Sequence, residues 1–132
     1  MSYDKQDDPL TYKIIGCCQT VHRQLGPGFE EVIYQRALKL ELDAAGLDIA
    51  REQWITVYYR NVEVGQKRVD FVVEDCLLEI KAREKIEPVH FIQTLSYLKA
   101  SGYRVALLIN FGAKSLEVER IVGPGSINRT ID

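Results

Sequence analysis

After Gly46 the hydrophobic period of the chain changes, and that change limits what it can fold into. Before it, Ile14, Ile15, Cys18, Val21 and Leu25 recur at the spacing of an amphipathic helix. Phe29, Ile33, Ala37, Leu40 and Ala44 form a second helical stripe over residues 29–45. Gly26-Pro27-Gly28 separates the two, and Gly46 is a natural C-terminal stop. Beyond it, residues 49–59 (IAREQWITVYY) are rich in strand formers, with Arg60-Asn61 suited to a turn. Residues 62–64 continue as a short strand before a break at Gly65, and residues 68–73 and 76–81 read as two strands joined at Glu74-Asp75. Pro88 opens a third helix, with Phe91, Leu95 and Leu98 as its apolar seam and Gly102 as its end. Residues 105–109 are continuously apolar, as in a central strand buried on both faces, and residues 116–122 predict a last strand. The order implies an α/β (α+β) architecture in which helices flank one central mixed sheet.

With 132 residues the chain has room for one domain, expected over residues 10–122 between a flexible N-terminus (1–9) and a C-terminal tail (123–132). A hydrophobic content of 46% is enough for a core. A formal charge of −2 offers no global attraction to nucleic acid, so any such contact falls to local cations. Cys17, Cys18 and Cys76 form no CxxC pair and read as small buried hydrophobes. No signal peptide or membrane-length apolar run is recognisable, which leads us to expect a cytoplasmic protein without a membrane partner. The pattern specifies no oligomeric state, although a strand at 116–122 could pair as an edge.

The stretch RVDFVVEDCLLEIKA (68–82) carries the chemistry. Glu79 and Lys81, two apart on an otherwise apolar strand, point to one face. In a hairpin Asp70 approaches Glu79, and two adjacent carboxylates repel. A hard divalent cation, Mg²⁺ or Mn²⁺, relieves that repulsion and takes waters and phosphate oxygens as its other ligands. Lys81 would then orient water and stabilise charge on a phosphate, with the Ile80 carbonyl reaching the ion from the strand edge. The rival reading is a solvated cross-strand ion pair of a kind found in many sheets.

Two further patterns bear on the choice. GPGFEEVIY places Glu31 and Tyr34 three apart on a helix, and QTLSY places Gln93 and Tyr97 four apart on another. Taken in order, HRQLGPGFEEVIY, RVDFVVEDCLLEIKA and QTLSYLKASGYRVALLINFG resemble the GxxExxY proteins, a group within the PD-(D/E)XK nuclease-like superfamily. The likeness runs from about residue 10 to 122. It implies a restriction-endonuclease-like core and a metal-dependent nuclease. The naming motif falls on Gly28, Glu31 and Tyr34, the core aspartate on Asp70, the (D/E)xK on Glu79 and Lys81, and a helical QxxxY on Gln93 and Tyr97. By that likeness Glu31, Asp70 and Glu79 hold Mg²⁺ or Mn²⁺, while Lys81, Gln93 and Tyr97 complete the catalytic set. Val69 stands where the superfamily's eponymous proline would be.

Arg68 and Arg83 extend the Asp70 and Lys81 faces and are candidate phosphate contacts, with Tyr34 and His22 also assigned to the substrate. His22 has a second reading, as a hydrogen-bonded residue that fixes the glycine turn. Trp54 and Tyr58 share a strand face and are expected in the core, although Trp54, Tyr58 and Tyr59 could instead stack bases. The expected partner is nucleic acid, with DNA the preferred substrate. The alternative is a non-catalytic nucleic-acid-binding or protein-interaction module that keeps the nuclease fold.

Overall fold

Asp8 caps the first helix, its carboxylate accepting the Thr11 N–H at 3.2 Å, with Pro9 in the first turn where no N–H is needed. The computed structural model describes residues 8–123, so of the termini expected at 1–9 and 123–132 all but Asp8, Pro9 and Gly123 lie outside the described residues. Helices α1 (Pro9–Leu25) and α2 (Glu31–Ala44) are followed by strands β1 (Ile49–Tyr59), β2 (Val62–Val73) and β3 (Cys76–Lys81). Helix α3 (Pro88–Ser101) then leads to β4 (Val105–Asn110) and β5 (Glu117–Val122). The five strands lie in the order β1-β2-β3-β4-β5, antiparallel except for the β3–β4 pair, which is parallel and bridged by α3. This is the expected mixed sheet with helices.

The two faces of the sheet are covered differently. On one, Ile14, Cys18, Leu38 and Leu42 of α1 and α2 pack on Phe71, Leu78, Ile80, Leu107 and Ile109. On the other, Leu98 of α3 meets Val72, Leu77, Ala106 and Ile121. Every residue of β4 is buried, as its unbroken apolar run requires.

Three expectations need correction. The stripe assigned to α2 is displaced: Leu40 is 70% exposed, and Tyr34, Leu38 and Leu42 face the core. The seam of α3 contains His90, Thr94 and Leu98, because a capping box at Glu87 and a Thr94 hydroxyl bond to the His90 carbonyl satisfy its polar members. Gly65 does not break β2; it pairs with Val57, and the register slips by one residue just beyond it.

Trp54 and Tyr58 are also misassigned, being 56% and 64% exposed. The cause lies opposite Asp70. Glu52 adopts φ 56° and drops out of the β1–β2 ladder between the Arg51–Phe71 and Gln53–Val69 pairs. A left-handed non-glycine residue costs about 1 kcal/mol, and here it breaks the alternation of faces. Val72 and Val69, three apart, consequently pack in the same α3-side cluster, joined by Ile55. Beyond this kink Ile55 turns inward and its neighbour Trp54 turns out.

Candidate active site

The ladder between β2 and β3 has three residue pairs, Val73–Cys76, Val72–Leu77 and Phe71–Leu78. At the next position, Asp70 and Glu79, carboxylates replace backbone partners. The Asp70 N–H donates to Glu79 Oε2 at 2.9 Å, and the Ile80 N–H donates to Asp70 Oδ2 at 2.7 Å. Each side chain thus satisfies a donor that the strands no longer pair. From this point β2 stays with β1 and β3 stays with β4, so the sheet forks. The polar residues on the apolar strand sit in the crotch of that fork.

Glu79 is only 6% exposed. Burial, then the neighbouring Asp70, raises its pKa to about 8. Burial also raises Asp70, with the Glu31 carboxylate adding to the effect and the Ile80 N–H and Lys81 opposing it. Each carboxyl acts on the titration of the other. Both shifts run upward because the pair is an acidic site short of positive charge.

The surroundings come from four elements. Glu31 opens α2 and is half-buried, near enough to Asp70 to act on its charge. Gly28 has φ 116°, a backbone shape that side chains disfavour, and it turns the chain between α1 and α2. Tyr97, from α3, is half-buried, and burial followed by the Glu79 and Asp70 charges raises its phenol pKa. Gln93 lies one turn earlier on α3 and is exposed. Lys81 is half-buried at the end of β3, and its carbonyl accepts the Phe111 N–H at 2.8 Å. Because N–H and C=O of one residue leave a strand on the same side, the Ile80 carbonyl faces the fork. That is the strand edge left open where β2 and β3 part.

A model of the PD-(D/E)XK nuclease superfamily matches residues 8–121. The chain belongs to that superfamily. Among solved structures, SSO0001 is similar with a TM-score of 0.55 and 17% identity, over 75% of this chain and 54% of that one. An alkaline exonuclease, LHK-Exo of Laribacter hongkongensis, is similar with a TM-score of 0.51 and 12% identity, over 99% of this chain and 76% of that one. The chain thus spans about half the length of SSO0001, and at these identities both likenesses speak to fold. No curated protein is significantly similar in sequence.

Within the superfamily fold the structure gathers Glu31, Asp70, Glu79, Lys81 and Tyr97 at the fork, with Gln93 on the rim. Tyr34 is not a substrate contact. It is fully buried, its ring stacked on Phe111 at 4.8 Å, its hydroxyl donating to the Gly26 carbonyl and accepting the Phe29 N–H. Tyr34 therefore holds the glycine turn that leads into Glu31. His22 instead donates from Nε2 to the Ala113 carbonyl at 2.9 Å, tying α1 to the β4–β5 loop. Arg83 is exposed beside the site, while Arg68 is exposed on the β1–β2 ribbon, 3.3 Å from Glu52.

Three supporting residues escaped the sequence reading. Asn110 is fully buried; its carbonyl accepts the N–H groups of Arg83 and Gly112, and its amide donates to the Arg83 carbonyl and Glu117. A Cβ on Gly112 would overlap the backbone of Ala82 and Arg83. Together they clamp the chain just after Lys81. His90 is buried with Nδ1 accepting the Glu87 N–H at 3.0 Å, and burial, then Lys81 and Arg83, lowers its pKa. The apolar signal around these residues concealed them, although a polar Asn ending the run VALLIN was a visible clue.

Proposed function

We propose that this protein is a metal-dependent nuclease of the GxxExxY group that hydrolyses phosphodiester bonds in nucleic acid, with DNA the preferred substrate. The observation that carries the reading is the pairing of half-buried Asp70 with buried Glu79 in the fork, with Lys81 on the same strand as Glu79. Oxygen donors starved of positive charge suit a hard cation, Mg²⁺ or Mn²⁺. Among the described residues no three acidic, histidine or cysteine side chains converge as a ready-made ion site. Asp70 and Glu79 would therefore hold the ion with water and substrate oxygens, and Glu31 would join through its nearby charge.

Bound there, such an ion supplies positive charge to the scissile phosphate and acidifies water for attack. The chain's own residues do the rest. Asp70 and Glu79 would hold the cation as carboxylates, any proton between them passing to solvent. Lys81 offers its ammonium to the phosphate oxygens as charge grows on them. Tyr97 walls the fork from α3, and Gln93 on the rim is placed to hydrogen-bond the incoming phosphate. Arg83 adds a cation at the entrance.

Calorimetric titration of Mn²⁺ into the wild type and Glu79→Gln tests the reading before any substrate is known. Saturable binding abolished by the substitution supports it and justifies a screen for cleavage. Binding unaffected by Glu79→Gln, or nucleic-acid binding that survives both Asp70→Asn and Glu79→Gln without any cleavage, supports the non-catalytic module instead.

A further inference from the structure

The β1–β2 ribbon beyond Asp70 presents large aromatic rings to solvent. Trp54, Tyr58 and Tyr59 are 56%, 64% and 62% exposed, an expensive arrangement for side chains that normally bury most of their surface. Guanidinium groups lie over two of these rings. Arg68 sits 5.6 Å from the centre of Trp54, and Arg60 sits 5.4 Å from the centre of Tyr59. With Lys67, these cations face only Glu52 and Glu63 along the ribbon, in a chain whose net charge is −2. The Arg68–Glu52 contact is exposed on both sides, so it competes weakly with a phosphate.

Trp54, Thr56 and Tyr58 also line a shallow cavity of about 250 Å³ with Ala100, Ser101 and Tyr103. This cavity is connected to the fork by α3. Gln93, Tyr97 and Ser101 follow at four-residue intervals on one face of that helix, so Ser101 lies about 6 Å beyond Tyr97 along the axis. Tyr97 beside the fork and Ser101 in the aromatic cavity thus set the two places along one face of α3.

We propose that this ribbon is a stacking arm for single-stranded nucleic acid, with bases on Trp54 and Tyr58 and backbone phosphates on Arg68 and Arg60. Rings in a shallow cavity need the faces of unpaired bases, which a stacked duplex hides. The proposal deepens the nuclease reading and rests on it for the direction of the strand: an unpaired end passes along α3 and delivers the adjoining phosphodiester to the fork.

Trp54 is the sole tryptophan, so its fluorescence reports the arm directly. The full chain is titrated with a twelve-nucleotide oligo(dT) in EDTA, where no cleavage occurs. Saturable quenching is expected, roughly tenfold weaker in Tyr58→Ala. Arg68→Ala should lower the slope of log affinity against log salt by about 1. Both side chains are exposed, so neither change threatens the fold. Quenching by a blunt duplex as strong as by oligo(dT) overturns the proposal. So does an absence of quenching, including the case where sedimentation reveals a dimer that Trp54→Ala dissociates. The nuclease reading fails separately: quenching without Mn²⁺ binding retains the arm alone, and Mn²⁺ binding at Glu79 without quenching removes the arm alone.

Discussion

Among the described residues carboxylates are buried in two places and treated in opposite ways. Asp8, 4% exposed, receives Arg104 at 2.9 and 3.3 Å, Arg120 at 2.9 Å and the Thr11 N–H at 3.2 Å. Burial alone would raise its pKa, but the two guanidinium groups and the helix N–H hold it well below the usual carboxylate range. Glu79 is buried to a similar degree, receives one backbone N–H, and faces another carboxylate. One charge is answered by the fold and the other is left for something outside it. What separates the two buried acids is the supply of countercharge.

The largest way to break the contrast is Asp8→Ala. It removes a helix cap and leaves two cations facing each other, one with its Arg120 Nε already lacking a partner among the described residues. Because Arg104 is 37% exposed, we expect the lower end of the roughly 3–5 kcal/mol typical of breaking a buried pair, read by denaturant unfolding.

Glu79→Gln should act in the opposite direction. A carboxyl whose folded pKa is raised from 4.5 to about 8 binds more protons folded than unfolded between those values. Stability of the metal-free protein therefore falls as pH rises through that window and levels off above it. Removing the ionisable group should flatten this decline and stabilise the protein above pH 8 by up to a few kcal/mol. Asp8 gives the reverse slope: its contribution is present above 3.8 and lost as pH falls below. Unfolding free energies in EDTA across pH should display both limbs, and only the neutral one should respond to Glu79→Gln.

Gly112→Ala should cost roughly 1–3 kcal/mol by forcing the backbone of Ala82 and Arg83 aside, and should weaken Mn²⁺ binding by shifting Lys81 and its strand. The smallest effect is expected from Lys81→Met. Its ammonium opposes the rise in both carboxyl pKa values, so its loss should move the Glu79 titration upward by a small amount. Carboxyl-carbon NMR of labelled glutamate measures that directly.

What the sequence made legible follows the strength of local constraint. The strand at 105–109 was plain because burial on both faces leaves an unbroken apolar run, and β3 was plain because Glu79 and Lys81 interrupt one. The chain did not reveal that the alternation of faces fails opposite Asp70, since a left-handed Glu52 carries no compositional mark; this is why Trp54 and Tyr58 were assigned inward. Spacing alone places Tyr34 near Glu31 and so suggests a substrate contact, while its burial depends on Phe111, far along the chain. Asn110 and His90 stayed hidden for the same reason: their partners are backbone atoms that only tertiary structure supplies.

The single parallel ladder has a consequence for how the domain matures. Glu79 pairs with Leu108 and Lys81 with Asn110, about thirty residues later in the chain. The hairpin that brings Asp70 to Glu79 is local and fast to close, whereas the parallel pairing must await the whole crossover helix. An emerging polypeptide that stops before β4 has its acids together and its lysine unanchored. Competence at the fork is thus a late event in folding, gained only when the second half of the crossover has docked.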